Sequence, residues 1–317
     1  MKCLVTGVAG FIGSHLAERL IDLDYEVIGI DSFLDYYPRE IKEGNIANLL
    51  SKKGFTFIEG DLLQVNLRDM IRDVDYIFHE AAQAGVRASW GQDFSIYVNC
   101  NILATQRLLE AAKGSNVKRF IYASSSSVYG DTDTLPMKED SILKPISPYG
   151  VTKLAAENLC YLYFKEFGVP TISLRYFTVY GERQRPDMAF HRFIKATFNN
   201  EECIIYGDGN QTRDFTYIKC AIQANISAME SPVVGEVFNI GGGSQITLNG
   251  AIEILERVMG KKVRLRYIES QKGDVRHTYA DTQKARELLK YRPESNLEEG
   301  LLKEVEWIKG SFYPLYA

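Results

Sequence analysis

The chain has 317 residues, 45% of them hydrophobic and 25% charged, enough for a large globular fold whose core needs no disulfide support. A net charge of -4 and a pI near 5.7 exclude the diffuse basic field of a nucleic-acid or anionic-membrane binder, so any phosphate must be held by local groups. Cys3, Cys100, Cys160, Cys203 and Cys220 stand singly, with no CxxC and no histidine at ligand spacing, which reads as reduced core thiols without a metal; no apolar run suits a membrane span or signal peptide, which reads as a cytoplasmic protein.

Residues 2–6 predict a buried strand, the stretch from Gly7 to Gly13 a glycine turn opening a helix through Leu20, and residues 26–30 a second strand closed by Asp31. The alternation continues with strands expected over 56–59, 76–79, 120–124 and 171–175, and helices over 67–72, 98–113 and 150–167. Repeated strand-helix units predict an α/β fold with a doubly wound parallel sheet. Beyond Arg175 the rhythm changes, with one more buried strand at 238–240 and helices over 249–258, 282–289 and 297–308. The expected division is a Rossmann-type domain over 1–176, to which a segment near 212–240 returns, and a smaller C-terminal α/β domain over 177–317 closing on the carboxyl edge of the sheet.

Gly7, Gly10 and Gly13 form GxxGxxG between a strand and a helix, where the backbone around Phe11 and Ile12 can approach a pyrophosphate. Asp31 lies 18 residues after Gly13, at the strand end where a carboxylate accepts from an adenosine ribose and repels a 2'-phosphate, favouring NAD over NADP; Ser32 follows it. Asp61 and Leu62 end another strand, where Asp61 either meets adenine or caps a helix. Ala81, Ala82 and Gln83 follow the fourth strand and are placed beside the nicotinamide and diphosphate, with Arg87 either there or on the surface.

Tyr149 and Lys153 are spaced i, i+4, so a phenol and an ammonium share one helix face. Holding that phenol ionised near neutrality takes about 4 kcal/mol, which Lys153 and a nicotinamide cation are expected to supply. Ser147 and Pro148 suit the helix start, and the run Ser124-Ser125-Ser126-Ser127 ends a strand with four hydroxyls.

Glycine turn, serine run and YxxxK together resemble the extended short-chain dehydrogenases, over nearly the whole chain. The resemblance implies NAD as cofactor, Tyr149 as base, Lys153 on the nicotinamide ribose, Ser125 on the reacting sugar hydroxyl, and Tyr176 in the cofactor site. It also implies a nucleotide-sugar substrate. Residues 205–215 and 273–276 are similar to the family's UDP clamp, with Tyr206 for the base and Arg213, Asp274 and Arg276 near the diphosphate; either arginine read singly can also be a surface ion pair. The segment from Thr178 to Ala189, with Arg185-Pro186-Asp187-Met188-Ala189, is similar to UDP-glucuronate 4-epimerases; Arg185 is the candidate for the sugar carboxylate, with Thr178, Ser126 and Ser127 as lesser partners. Family decarboxylases carry glutamate where Ser127 stands, so epimerisation is expected. The rival readings are a UDP-glucose or UDP-N-acetylglucosamine 4-epimerase, a UDP-glucuronate decarboxylase and a dinucleotide-sensing binding protein.

Four positions depart from the family: Glu80 stands at an apolar place, Ala104 at a glycine, and Lys219-Cys220 at an acidic pair; none is expected to touch the catalytic set. The helix over 150–167 carries Leu154, Leu159, Tyr161, Leu162, Tyr163, Phe164 and Phe167, more than one buried stripe needs. A homodimer through a four-helix contact, shared with residues 98–113, is implied by the resemblance; cover by the C-terminal tail is the other reading.

Overall fold

Alternate residues of each central strand belong to different cores, which is the mark of a sheet covered on both faces. Cys3 and Val5 pack with Phe78, Ile121, Ile172 and Leu174 on one side. Leu4 packs with Ile77, Phe120 and Tyr122 on the other. The computed structural model that shows this describes residues 1–132, 134–294 and 296–312.

The first half runs β1 (Lys2–Thr6), α1 (Phe11–Asp22), β2 (Glu26–Asp31), α2 (Arg39–Leu50), β3 (Phe55–Glu59), α3 (Leu67–Met70), β4 (Tyr76–His79), α4 (Phe94–Tyr97), α5 (Ala104–Ala112), β5 (Arg119–Ser125), α6 (Pro148–Phe167) and β6 (Thr171–Tyr176). The second half adds β7 (Val179–Tyr180), α7 (Ala189–Phe198), β8 (Glu202–Tyr206), β9 (Thr212–Asp214), β10 (Thr216–Tyr217), α8 (Ile218–Glu230), β11 (Glu236–Ile240), β12 (Gln245–Thr247), α9 (Leu248–Met259), β13 (Arg264–Ile268), α10 (Gln283–Leu288) and α11 (Leu297–Phe312). Strand order in the seven-stranded sheet is β11-β6-β5-β4-β1-β2-β3, with every pair parallel. The expected doubly wound, Rossmann-type sheet is present. Its order reverses between β1 and β4, where the carboxyl ends of adjacent strands leave a crevice.

α1 and α8 contribute Leu16, Leu20, Ala221 and Ala224 to the first core, which continues through Phe190, Ile194, Ala251, Leu255 and Leu301 under the C-terminal elements. Leu108, Leu109, Ala156 and Cys160 from α5 and α6 fill the second. β8 pairs with β13 in parallel, and β9 with β12 antiparallel, above the carboxyl edge. No helix among the described residues is long and apolar enough to cross a membrane.

The expected helix over 98–113 is broken in register. A π-helical stretch, Val98–Leu103, joins α4 to α5, and its Asn101 side chain leaves the helix surface to bond the backbone of Gln83. The helix expected over 67–72 is short, Leu67–Met70. α2, α7 and α8 are helices that the sequence pattern does not predict; in α2 the buried face mixes Ile46 and Leu49 with Lys42 and Asn45, which blurs an apolar period.

α6 is built as its sequence suggests. The Ser147 hydroxyl accepts from the Gly150 amide at 3.1 Å, Pro148 opens the first turn, and Gly168 ends the helix at φ 69°. One face buries Ala156, Cys160 and Tyr163, while Tyr161, Leu162 and Phe167 remain exposed.

Between α6 and β6 lies a buried ion pair. Arg175 donates from Nη2 to Glu157 Oε1 at 2.6 Å and from Nε to Oε2 at 3.0 Å, and Ser124 completes the carboxylate's partners at 2.6 Å. Arg175→Met should therefore lower stability by about 3–5 kcal/mol, since Glu157 is left buried without its cation. A urea-unfolding midpoint measures this, and adding Glu157→Leu should recover most of the loss.

Candidate active site

A cleft follows the carboxyl edge across the β1–β4 reversal. The glycine turn forms one end of it, and Tyr149, Lys153 and Arg185 the other. Gly7, Gly10, Phe11, Ile12, Gly13, Asp31, Ser32, Asp61, Leu62, Ala81, Ala82 and Gln83 all line it, so these residues from four loops are brought together.

The glycines are required by space. A Cβ on Gly7, at φ 69°, would stand 2.8 Å from the Ala81 backbone, and one on Gly13 would stand 2.3 Å from the Gly7 carbonyl oxygen. Asp31 locks the turn, accepting from the Ala9 amide at 3.0 Å and the Phe33 amide at 2.9 Å. Asp61 accepts from the Leu63 amide at 2.9 Å. Behind the turn, His79 bridges Thr6 at 2.8 Å and Thr105 at 2.9 Å; burial and the Lys153 charge lower its pKa to about 3, so it is a neutral structural strut. An elongated cleft with amides at a helix N-terminus, side-chain-free backbone and an acidic strand end fits a dinucleotide such as NAD.

Other lining residues carried no motif. Leu34, Tyr36, Tyr37 and Lys42 come from the loop after β2 and from α2, with Lys42 Nζ 4.5 Å from the Tyr37 ring centroid. Asn101 supports the cleft floor: Oδ1 accepts from the Gln83 amide at 2.8 Å, and Nδ2 donates to the Gln83 carbonyl at 3.0 Å and to Thr152 at 2.9 Å. Its lone place in the sequence gave no signal. Tyr36 and Tyr37, an aromatic pair just before a helix, are the only sequence signal of this loop.

At the catalytic end, Ser125 closes β5 and its hydroxyl accepts from the Ser127 amide at 3.1 Å, shaping a tight turn over Ser126–Val128. Gly150 lets α6 press on that turn, because a Cβ there would lie 2.6 Å from the Ser127 carbonyl oxygen. That contact sets the first turn of α6, and Tyr149 with it, beside the turn that follows Ser125. Tyr97 packs edge-on against Tyr149, with centroids 6.3 Å apart, and fixes its own hydroxyl on the Ala84 and Gly85 carbonyls.

The charge balance differs from the expectation for Lys153. Burial raises the Tyr149 pKa, and the opposing influences are the Ser125 hydrogen bond and the Arg185 charge. Lys153 lies 4.5 Å from the Tyr122 ring centroid, with its pKa lowered by burial to about 8 and Glu80 foremost among the groups restoring it. The two departures Glu80 and Ala104 also line the cleft. The Tyr176 hydroxyl donates to the cleft-lining Glu80 at 2.9 Å and accepts from Asn225 at 2.7 Å.

The substrate candidates gather in two groups. Arg87 stacks 4.0 Å above the Tyr206 ring centroid and pairs with Asp274 at 2.7 Å, which places it with the clamp and away from the cleft lining. Arg276 forks onto Asp208 at 2.9 Å through both terminal nitrogens, and Arg213 donates to the Thr212 and Arg276 carbonyls at 2.8 and 3.2 Å. Arg185 reaches the cleft beside Tyr149 and forks onto Asp187 at 3.0 Å through Nε and Nη2. Thr178 joins β7 to β10 through its backbone, its carbonyl accepting from the Thr216 amide at 2.9 Å. No cluster able to hold a metal ion occurs among the described residues.

A Rossmann-type sheet whose dinucleotide cleft ends on a tyrosine and a lysine, with a serine closing the strand β5, defines the extended short-chain dehydrogenase class. Residues 3–241 match the NAD dependent epimerase/dehydratase family, and the chain belongs to it. A UDP-glucuronate 4-epimerase of Thermodesulfobacterium geofontis is 41% identical over 96% of this chain and 95% of its own. A Bacillus subtilis protein described as an uncharacterised UDP-glucose epimerase is 45% identical, over 98% and 99%. The crystal structure of a Bacillus cereus UDP-glucuronic acid 4-epimerase with UDP-glucuronic acid and NAD superposes with a TM-score of 0.96 at 47% identity, covering 98% of this chain and all of that one.

Because the turn has no room for a methyl group, Gly13→Ala should weaken NAD binding at least ~10-fold, or about 1.4 kcal/mol. Calorimetric titration with NAD reads the change.

Proposed function

We propose that the chain is an NAD-dependent isomerase that interconverts UDP-glucuronate and UDP-galacturonate by epimerisation at C4. The observation that carries the substrate is Arg185, a guanidinium delivered to the catalytic end of the cleft whose charge acts on the Tyr149 phenol. Its Nε and Nη2 hold Asp187, and Nη1 offers further donors to a carboxylate on sugar C5. The relatives named for UDP-glucuronate support the same reading.

In this reading the glycine turn, Asp31 and Lys153 would hold the dinucleotide, which would supply reversible hydride transfer at C4 when bound. Tyr149 Oη takes the C4 hydroxyl proton and later restores it, while Ser125 orients that hydroxyl. Arg213, Arg276 and Arg87 hold the diphosphate, with Tyr206 and Asp274 beside the uridine, once Arg87 and Arg276 exchange their carboxylate partners for phosphate. Ser126, Ser127 and Thr178 are, in this reading, lesser partners of the carboxylate beside Arg185. Several fixed contacts to the carboxylate keep its C-C bond out of the geometry that favours decarboxylation of a 4-keto acid. The dinucleotide unit spans 1–176 with the return near 212–240, and 177–317 supplies the sugar-nucleotide side.

A second reading, a UDP-glucose 4-epimerase, is favoured by the neutralising Asp187 beside Arg185. Incubation with each UDP-sugar and chromatography of the products separates the two. UDP-galacturonate is expected from UDP-glucuronate, and turnover of UDP-glucose alone, or release of a UDP-pentose, would overturn the choice. Tyr149→Phe should cost roughly 10³-fold in kcat. Arg185→Gln should lower kcat/KM for UDP-glucuronate by roughly 10- to 100-fold and leave UDP-glucose nearly unaffected.

The exposed face of α6, with Val151, Tyr161, Leu162 and Phe167, together with Leu103 and Ile96, suits a second copy of the chain. Light scattering should give a dimer, and Leu162→Glu a monomer; a wild-type monomer at micromolar concentration would refute the pairing. The free thiols and the cofactor suit the cytoplasm.

A further inference from the structure

Tyr36 belongs to the loop after β2, on the side of Asp31, and Asp187 to the loop after β7, 151 residues further on. The Tyr36 hydroxyl donates to Asp187 Oδ2 at 3.1 Å. Asp187 in turn takes the Arg185 fork, Nε on Oδ1 and Nη2 on Oδ2, each at 3.0 Å. The Tyr36 ring also faces the cation, since Arg185 Cζ lies 5.7 Å from its centroid. A further contact fixes the phenol itself. Gly85, in the loop after β4 and at φ 105°, has no Cβ, and one there would stand 2.4 Å from Tyr36 Oη. Tyr36 and Arg185 line the same cleft, so loops from the carboxyl ends of β2, β4 and β7 meet there at a single hydroxyl.

We infer that Tyr36 is a positioning residue for substrate choice: through Asp187 it holds the Arg185 fork at one angle, so that the free edge of the guanidinium meets a carboxylate on the sugar. This role of Tyr36 rests on the reading that Arg185 is the partner of that carboxylate. Arg185 and Asp187 stand two residues apart, and an ion pair so local moves with its own loop. Their side chains are 23% and 38% exposed, so the pair fixes little unaided. Tyr36 supplies an anchor from a distant part of the chain. With Nε and Nη2 engaged by Asp187, the Nη1 hydrogens and the second Nη2 hydrogen stay free, in a plane that the fork sets. Such an edge grips a carboxylate with two bonds only when the two planes coincide, and fixing its plane beforehand removes an ordering cost from binding. A neutral hexose gains less from that alignment. Burial, then the Asp187 charge, pushes the Tyr36 pKa up, so the phenol stays a donor. If Asp187 served only to cancel the Arg185 charge, loosening it would favour an anionic sugar; if it serves to aim Arg185, loosening it disfavours one.

Tyr36→Phe keeps the ring and removes the hydroxyl alone. The test is calorimetric titration of the NAD-loaded protein with UDP-glucuronate and with UDP-glucose, in a Tyr149→Phe parent that slows conversion of both. The quantity read is the ratio of the two affinities. Tyr36→Phe is expected to lower the preference for UDP-glucuronate roughly 5- to 10-fold, the effect of one hydrogen bond to a charged group. In an Arg185→Gln background the same substitution should leave the ratio where Arg185→Gln alone puts it, because the hydroxyl acts through the arginine. A ratio unchanged by Tyr36→Phe, or shifted towards UDP-glucuronate, would overturn the role of Tyr36. So would an equal fall in the Arg185→Gln background, which would put the phenol on the ligand itself. Should Tyr36→Phe fail to fold, Asp187→Ala, which severs tether and fork together, must lower the ratio although it removes a negative charge; an unchanged or higher ratio there overturns the role as well. The parent separates this role from the reading beneath it. Equal affinity of the parent for both sugars defeats the assignment of Arg185 and Tyr36 together, whereas a preference for UDP-glucuronate that Tyr36→Phe does not touch defeats Tyr36 alone.

Discussion

Backbone lies against backbone at three points around the cleft, closer than any Cβ would permit: Gly7 on Ala81, Gly13 on the Gly7 carbonyl, and Gly150 on the Ser127 carbonyl. The first two join the end of β1 to the end of β4 and aim the start of α1 at the crevice. The third seats the first turn of α6 on the serine turn after β5, so that Tyr149 stands beside the turn that follows Ser125. Cofactor end and catalytic end are both positioned by the lack of a side chain, and the polar groups between them inherit their geometry from that contact.

Around this frame the chain arranges charge in balanced pairs. Its overall sign is negative, yet the cleft and its rim collect Arg185, Lys153, Arg87, Arg213 and Arg276. Most are met by a carboxylate of the protein: Asp187 for Arg185, Asp274 for Arg87, Asp208 for Arg276. An anionic ligand therefore enters by replacing an internal partner of like geometry. The exposed pairs contribute little to stability themselves. Their value lies in keeping guanidinium forks oriented towards places where phosphate or carboxylate oxygens can take over.

Much of this was legible in the residues, because the dinucleotide turn, the capped helix start at Ser147-Pro148 and the Tyr149–Lys153 spacing are local rules of backbone and side-chain direction. What escaped were contacts across long intervals. Glu80, Tyr176 and Asn225 form one hydrogen-bonded set from three distant elements, and nothing in their separate neighbourhoods announces it. Arg87 was left between cofactor loop and surface, and its place on the Tyr206 ring depends on how the C-terminal elements settle over the sheet. The Tyr149–Lys153 spacing places phenol and ammonium on one helix face, whereas the burial that lowers the Lys153 pKa comes from elements far apart in the chain.

The π-helical stretch Val98–Leu103 has a further consequence. One additional residue in a helical turn puts the segments on either side about a hundred degrees out of phase. The earlier segment can then direct Tyr97 towards the cleft while the later one lays Leu108 and Leu109 on the sheet, two duties that no uninterrupted amphipathic stripe can serve. Excising a single residue there would heal the helix and rotate one duty out of alignment, so chain length at this bend is itself part of the active-site design.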